Sequence, residues 1–292
     1  MQNRQIEDHG EFSGKRIVVL GGSSGMGLAV AQQGVAQGAT AIIASSNADR
    51  VKRAVATLDG KAEGHALDLS NERDIQNFFQ KIGDFDHSVF TAGDTLQLNE
   101  LAATDLTKAR HAFGLRYWTP LAAVKYGSPH IRKGGSIVLT TGVAGRRPHQ
   151  GWTVAASVCG TVEALTRALA VELAPIRVNA VCPGVVRTNL WQNMDADARE
   201  QLFENVGKGL LVGRVGEAFE IARAYLFLMQ EGYSTGQIVV VDGGALLAQG
   251  ERLDTGKSSV AGKEPATKLL PVEERQTDRV YSRSETTPVA SS

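Results

Sequence analysis

The 292 residues balance 31 Lys+Arg against 31 Asp+Glu, with 42% hydrophobic residues and 32 Gly. A neutral chain exerts no long-range pull on nucleic acid or an anionic membrane, so neither partner is expected. Two cysteines can build neither a disulfide framework nor a four-ligand zinc site, and no metal site is expected.

No run of about 18 apolar residues marks a membrane span, and the opening MQNRQIEDHGEFSGK is too polar for a signal segment. These features lead to the expectation of a cytoplasmic protein with reduced thiols that acts on a small molecule.

Residues 1–13 read as an N-terminal extension. Lys15–Leu20 is a β-branched run, followed by GGSSGMG and a helix of small residues around Leu28–Ala36. The alternation continues with strand Thr40–Ala44, helix Ala48–Leu58, strand Glu63–Leu67, helix Glu72–Lys81 and strand His87–Thr91. A long helical region runs from Thr107 to Tyr126, then strand Ser136–Thr140, helix Trp152–Leu173 and strand Arg177–Val181. Helix Glu217–Gln230 and strand Gln237–Val241 complete the pattern. Seven strands separated by helices predict a doubly wound α/β domain over residues 14–250, with a parallel sheet in the order 3-2-1-4-5-6-7. Residues 251–292, rich in Ser, Thr, Lys, Arg and Glu, read as a disordered tail.

VVLGGSSGMG sits where a first strand meets a first helix, the place where backbone amides and a helix dipole hold a pyrophosphate. Gly21, Gly25 and Gly27 permit a tight turn, and Ser23, Ser24 and Met26 complete it. The second strand ends in Ser45-Ser46-Asn47, where an NAD site places an acidic residue. Small donors with Arg50, Lys52 and Arg53 close behind predict NADP(H).

These residues resemble the short-chain dehydrogenase/reductase family over roughly residues 13–248. The family's T-G-x-x-x-G-x-G turn is matched by Leu20–Gly27, its adenine-contacting acid by Asp68 beside Leu69, and half of its N-N-A-G by Ala92-Gly93. Pro183-Gly184, followed by Val186 and Thr188, matches the turn that borders the nicotinamide, and VVDGG at Val240–Gly244 matches the last strand. The resemblance implies a Rossmann fold, a dinucleotide cofactor and a homo-dimer or homo-tetramer. It places a mobile substrate lid over Asn189–Gly213, where Trp191, Met194 and Phe203 suggest a bulky apolar substrate.

The family's Asn-Ser-Tyr-Lys set is missing. Aligned positions hold Arg116, Gly142, Ala155 and Cys159. Reduction of a neutral carbonyl needs an acid or an oxyanion partner, whereas hydride delivery to a cationic iminium yields a neutral amine directly. Divergent fungal members of the family that lack the tyrosine are similar; some reduce iminium intermediates of indole alkaloids and shape a later cycloaddition. Arg116 matches an arginine of theirs, but the acid they carry near the position of Gly151 is absent. Arg116 is therefore expected to orient substrate or stabilise charge, with Thr141 and His149 as further catalytic candidates. The predicted function is atypical NADP(H)-dependent reduction of an imine or other activated intermediate in secondary metabolism. The alternatives are carbonyl reduction with a non-standard acid, and a non-catalytic NADP(H)-binding scaffold or sensor.

Overall fold

The computed structural model describes residues 11–94 and 96–248. They lie in the first of two compact units, Met1–Thr255; the second, Gly256–Ser292, falls outside the described residues, as does the expected disordered tail at 251–292.

β1 (Arg16–Leu20) is buried along almost its whole length, as a central parallel strand must be. It leads into α1 (Gly25–Ala36), then β2 (Thr40–Ser45), α2 (Ala48–Ala56), β3 (Ala62–Ala66), α3 (Glu72–Ile82) and β4 (Phe85–Phe90). Next come α4 (Leu106–Phe113), a π-helical turn at Gly114–Trp118, α5 (Thr119–Gly127) and β5 (Ile131–Thr140). The chain then forms α6 (Thr153–Glu172), β6 (Arg177–Pro183), β7 (Val186–Arg187), α7 (Ala196–Lys208), β8 (Gly216–Glu217), α8 (Ala218–Gln230) and β9 (Ile238–Val241).

The main sheet has the order β3-β2-β1-β4-β5-β6-β9, all parallel, which is the expected topology. A second sheet of two strands, β7 paired with β8, was not foreseen. Residues from α1, α2 and α8 cover one face, with Val30, Leu226 and the fully buried Tyr225 packed on Val19 and Ile43. On the other face α3, α5 and α6 contribute Phe79, Val124 and Leu165 against Val18 and Ile137. By length and composition α6 could cross a membrane, but Val162, Leu165, Leu169 and Ala170 turn into this core instead. β3, with the sequence AEGHA, is a largely exposed edge strand that carries charge outward, a common way to discourage further pairing. The strands β1, β4, β5 and β6 end along one rim, and the loops leaving it build the site.

Candidate functional site

A cavity of about 940 Å³ opens at the carboxyl ends of the strands. Its floor is the turn between β1 and α1. Gly21 has φ +90°, and an added Cβ would stand 2.5 Å from the backbone nitrogen of Ala92. At Gly27 a Cβ would meet the carbonyl oxygen of Gly21 at the same distance. The turn therefore closes only with glycine at both places. Ser24, the N-cap of α1, makes no side-chain capping bond, and the first turn holds no acidic residue, which leaves the helix end suited to an anion.

Ser23 donates to Ser45 Oγ at 2.9 Å, tying this turn to the end of β2. Arg50 lines the cavity, and its Nε is buried without a hydrogen-bond partner. An orphaned guanidinium nitrogen beside two serines, with no carboxylate between them, fits a phosphate ester on a ribose. Asn47 departs from expectation: its side chain caps α2 by accepting from the Arg50 amide at 2.8 Å, and it does not line the cavity. All the other expected cofactor residues line it: Gly21, Ser23, Ser24, Gly25, Met26, Gly27, Ser45, Ser46, Asp68, Leu69, Ala92, Gly93, Pro183, Gly184, Val186 and Thr188. The Asp68 carboxylate accepts from the hydroxyl of Ser70 at 2.7 Å and from its amide at 2.9 Å, and these bonds hold its pKa below the usual value.

Where a reductase would keep its tyrosine, Ala155 offers only a methyl, and no tyrosine lines the cavity among the described residues. Tyr225 is fully buried on α8, its hydroxyl 2.7 Å from Thr140 Oγ1, and burial pushes its pKa up. Gly142 and Cys159 are packed together: a Cβ on Gly142 would lie 3.3 Å from the sulfur. Burial raises the Cys159 pKa despite the nearby Arg116 charge, so the thiol stays protonated and is a poor nucleophile. Thr141 lines the cavity, with its hydroxyl donated to the Cys159 carbonyl at 2.9 Å. His149 does not line it; its ring packs edge-on against Trp152, which does.

Arg116 sits in the π-helical turn between α4 and α5, a local widening often found at functional sites. Its side chain is 23% exposed, and burial lowers its pKa from the ordinary value while the charge of Asp94 opposes that shift. Nη2 donates to the Asp94 carbonyl, and Nε lies 3.6 Å from Asp94 Oδ1. Asp94 was not singled out from sequence. It follows Ala92-Gly93 directly, yet its partner is 22 residues away on another element. The only available signal was an acid directly after the Ala92-Gly93 pair shared with the resembled family.

The Asn189–Gly213 segment packs into a small core with the residues that flank it: Phe203 and Val206 meet Val215, beside Trp191 and Leu202. Trp191 lines the cavity and donates Nε1–H to the Val186 carbonyl at 3.0 Å, whereas Met194 is 37% exposed and points elsewhere. Thr188 reaches across to the phosphate turn, 3.2 Å from where a Cβ on Gly25 would stand.

Residues 21–245 match the family model described as Enoyl-(Acyl carrier protein) reductase. The chain is 35% identical to the short-chain dehydrogenase/reductase ATR9 of Stachybotrys chlorohalonatus, over 80% of this chain and 98% of that one. It is similar to the solved MalC reductase/Diels-Alderase from Malbranchea aurantiaca, at 29% identity and TM-score 0.77, covering 82% of this chain and all (100%) of that one. It is also similar to a small-chain dehydrogenase solved in complex with NADPH, at 38% identity and TM-score 0.72, covering 80% and 99% of the two chains.

Proposed function

The chain belongs to the short-chain dehydrogenase/reductase family, and on that premise we propose that it is an NADP(H)-dependent reductase of an imine or iminium in secondary metabolism. One observation carries the reading: the cavity is lined by Ala155, Gly142, Cys159 and Arg116 where a carbonyl reductase needs an acid, and by no tyrosine among the described residues. Bound NADPH would supply the hydride. The glycine turn, Ser45, Ser46 and Arg50 would hold the coenzyme, the last three at its 2′-phosphate, a preference supported by the NADPH-bound relative.

The protein's own contribution is then position and charge. Apolar walls that include Leu115, Trp152 and Trp191 exclude water from the reacting centre. Arg116 stays protonated and orients an oxygen of the substrate without having to give up a proton. A cationic carbon–nitrogen double bond needs no acid once reduced, which suits a site whose thiol is held protonated and whose Thr141 hydroxyl is already donated. The size of the cavity also suits folding a product for cyclisation, the second activity named for the Malbranchea relative.

NADPH oxidation by the full chain across matched cyclic imines and ketones tests this. Turnover confined to imines is the expected result, and turnover of ketones at comparable kcat/KM would overturn it. The donated Thr141 hydroxyl and the missing tyrosine also favour a second reading, a coenzyme-holding protein without turnover. Tight NADPH binding with no oxidation of any partner would select that one.

A further inference from the structure

We propose that Asp94 is a substrate-recognition residue, whose Oδ1 accepts the N–H of a secondary amide in the substrate while Arg116 meets the neighbouring carbonyl. Asp94 lines the cavity, and its Oδ1 is buried with no hydrogen-bond donor. The nearest cation is Arg116 Nε at 3.6 Å, close enough to compensate charge but too far to be a hydrogen bond. Oδ2 is turned the other way, 3.5 Å from His111 Nε2. Nη2 of Arg116 is turned instead to the Asp94 carbonyl, to which it donates.

What remains is an acceptor and a donor side by side, facing an apolar space. A buried carboxylate oxygen with no donor is costly, and a ligand that brings one recovers that cost. A carboxylate at neutral pH is acceptor only, so the complementary group must carry a hydrogen; guanidinium is donor only, so its neighbour must carry a lone pair. A secondary amide presents both on one edge.

This rests on reading the cavity as the substrate site. The probes are a dihydroisoquinoline bearing a secondary carboxamide and the same molecule N-methylated at the amide, titrated into full-length protein saturated with NADP⁺, where no hydride can transfer. The wild type is expected to bind the N–H probe about tenfold or more tighter than the N-methyl probe. Asp94→Leu is expected to bring that ratio to near one with NADP⁺ affinity unchanged, and Asp94→Asn, which keeps an acceptor oxygen, to retain part of it. A merely structural role would weaken both probes alike. Equal binding of the two by wild type, no binding of the N–H probe, or a ratio unchanged in Asp94→Leu would overturn the assignment. Should Asp94→Leu fail to fold, the wild-type ratio and its partial retention in Asp94→Asn decide. Discrimination without NADPH oxidation leaves Asp94 assigned while removing the proposed reduction; oxidation without discrimination does the reverse.

Discussion

The missing Cβ of Gly93 makes room for Arg116: a methyl there would stand 2.9 Å from Nη1 and 3.0 Å from Cζ of the guanidinium. Gly93→Ala is therefore expected to push the charge off its position rather than to unfold the protein. A displacement of this kind costs up to about 10²-fold in turnover. Steady-state kcat on a cyclic imine should fall by at least about tenfold while the thermal midpoint moves little; an unchanged kcat would show that the guanidinium position does not matter.

Arg50, whose Nε has no hydrogen-bond partner, is expected to set the coenzyme preference. Loss of a hydrogen bond to a charged group costs about 1.5–3 kcal/mol, or roughly ten- to a hundredfold. Arg50→Ala should weaken NADPH by that factor and leave NADH within about twofold. Fluorescence titration with the two coenzymes reads the difference directly, and a parallel loss of both would point to damage of the phosphate turn instead.

Acid should destabilise the fold before ordinary carboxylates titrate. His87 lies buried on β4 with Nδ1 at 2.9 Å from Ser136 Oγ, and burial pushes its pKa from 6.5 down to about 4. The unfolded chain binds that proton more readily, so stability is intact above pH 6.5, declines as the pH falls, and has lost this contribution by about pH 4. A shift of that size corresponds to about 3 kcal/mol. Burial pushes neighbouring Asp86 upward, but hydrogen bonds from the Arg16 amide and Lys15, with the charge of Arg132, bring it below its usual value. Its contribution is lost only at still lower pH. Urea unfolding of wild type between pH 7.5 and 4.5 should show the decline, and His87→Gln should flatten it.

Tyr225 should prove dispensable for chemistry. Its hydroxyl shares a hydrogen bond with Thr140, which in turn donates to the Phe90 carbonyl at 2.5 Å. Tyr225→Phe removes one buried partner and should cost about 1 kcal/mol of stability with kcat within twofold of wild type. A large loss of kcat would make this phenol the missing acid.

The elements that could be read in the residues are those whose cause is local. β1 and β2 are continuous apolar runs, and GGSSGMG can serve little but a tight turn ahead of a helix. β3 was found despite its exposure, because its place in the alternation outweighs its composition. The pairing of β7 with β8 was invisible, since two residues at each end of a long excursion leave no periodicity. The helix expected from Thr107 to Tyr126 is one continuous path, but its π-helical turn at Gly114–Trp118 follows from packing and not from propensity. The same holds at the site. Glycines and serines of the phosphate turn announce themselves, whereas Asp94 beside Arg116 is decided by a tertiary contact; Asn47 as a helix cap and His149 against Trp152 answer to partners three residues away, which compete with a role in the site.

The rung formed by Val186–Arg187 and Gly216–Glu217 has a wider meaning. Everything between them, including α7 and its own small core, departs from the main sheet after β7 and comes back at β8, where Arg187 also pairs with Glu200 and Glu217. Closing such an excursion costs an entropy that grows only slowly with its length. This segment is accordingly expected to tolerate changes in its length at little cost to the sheet beneath it.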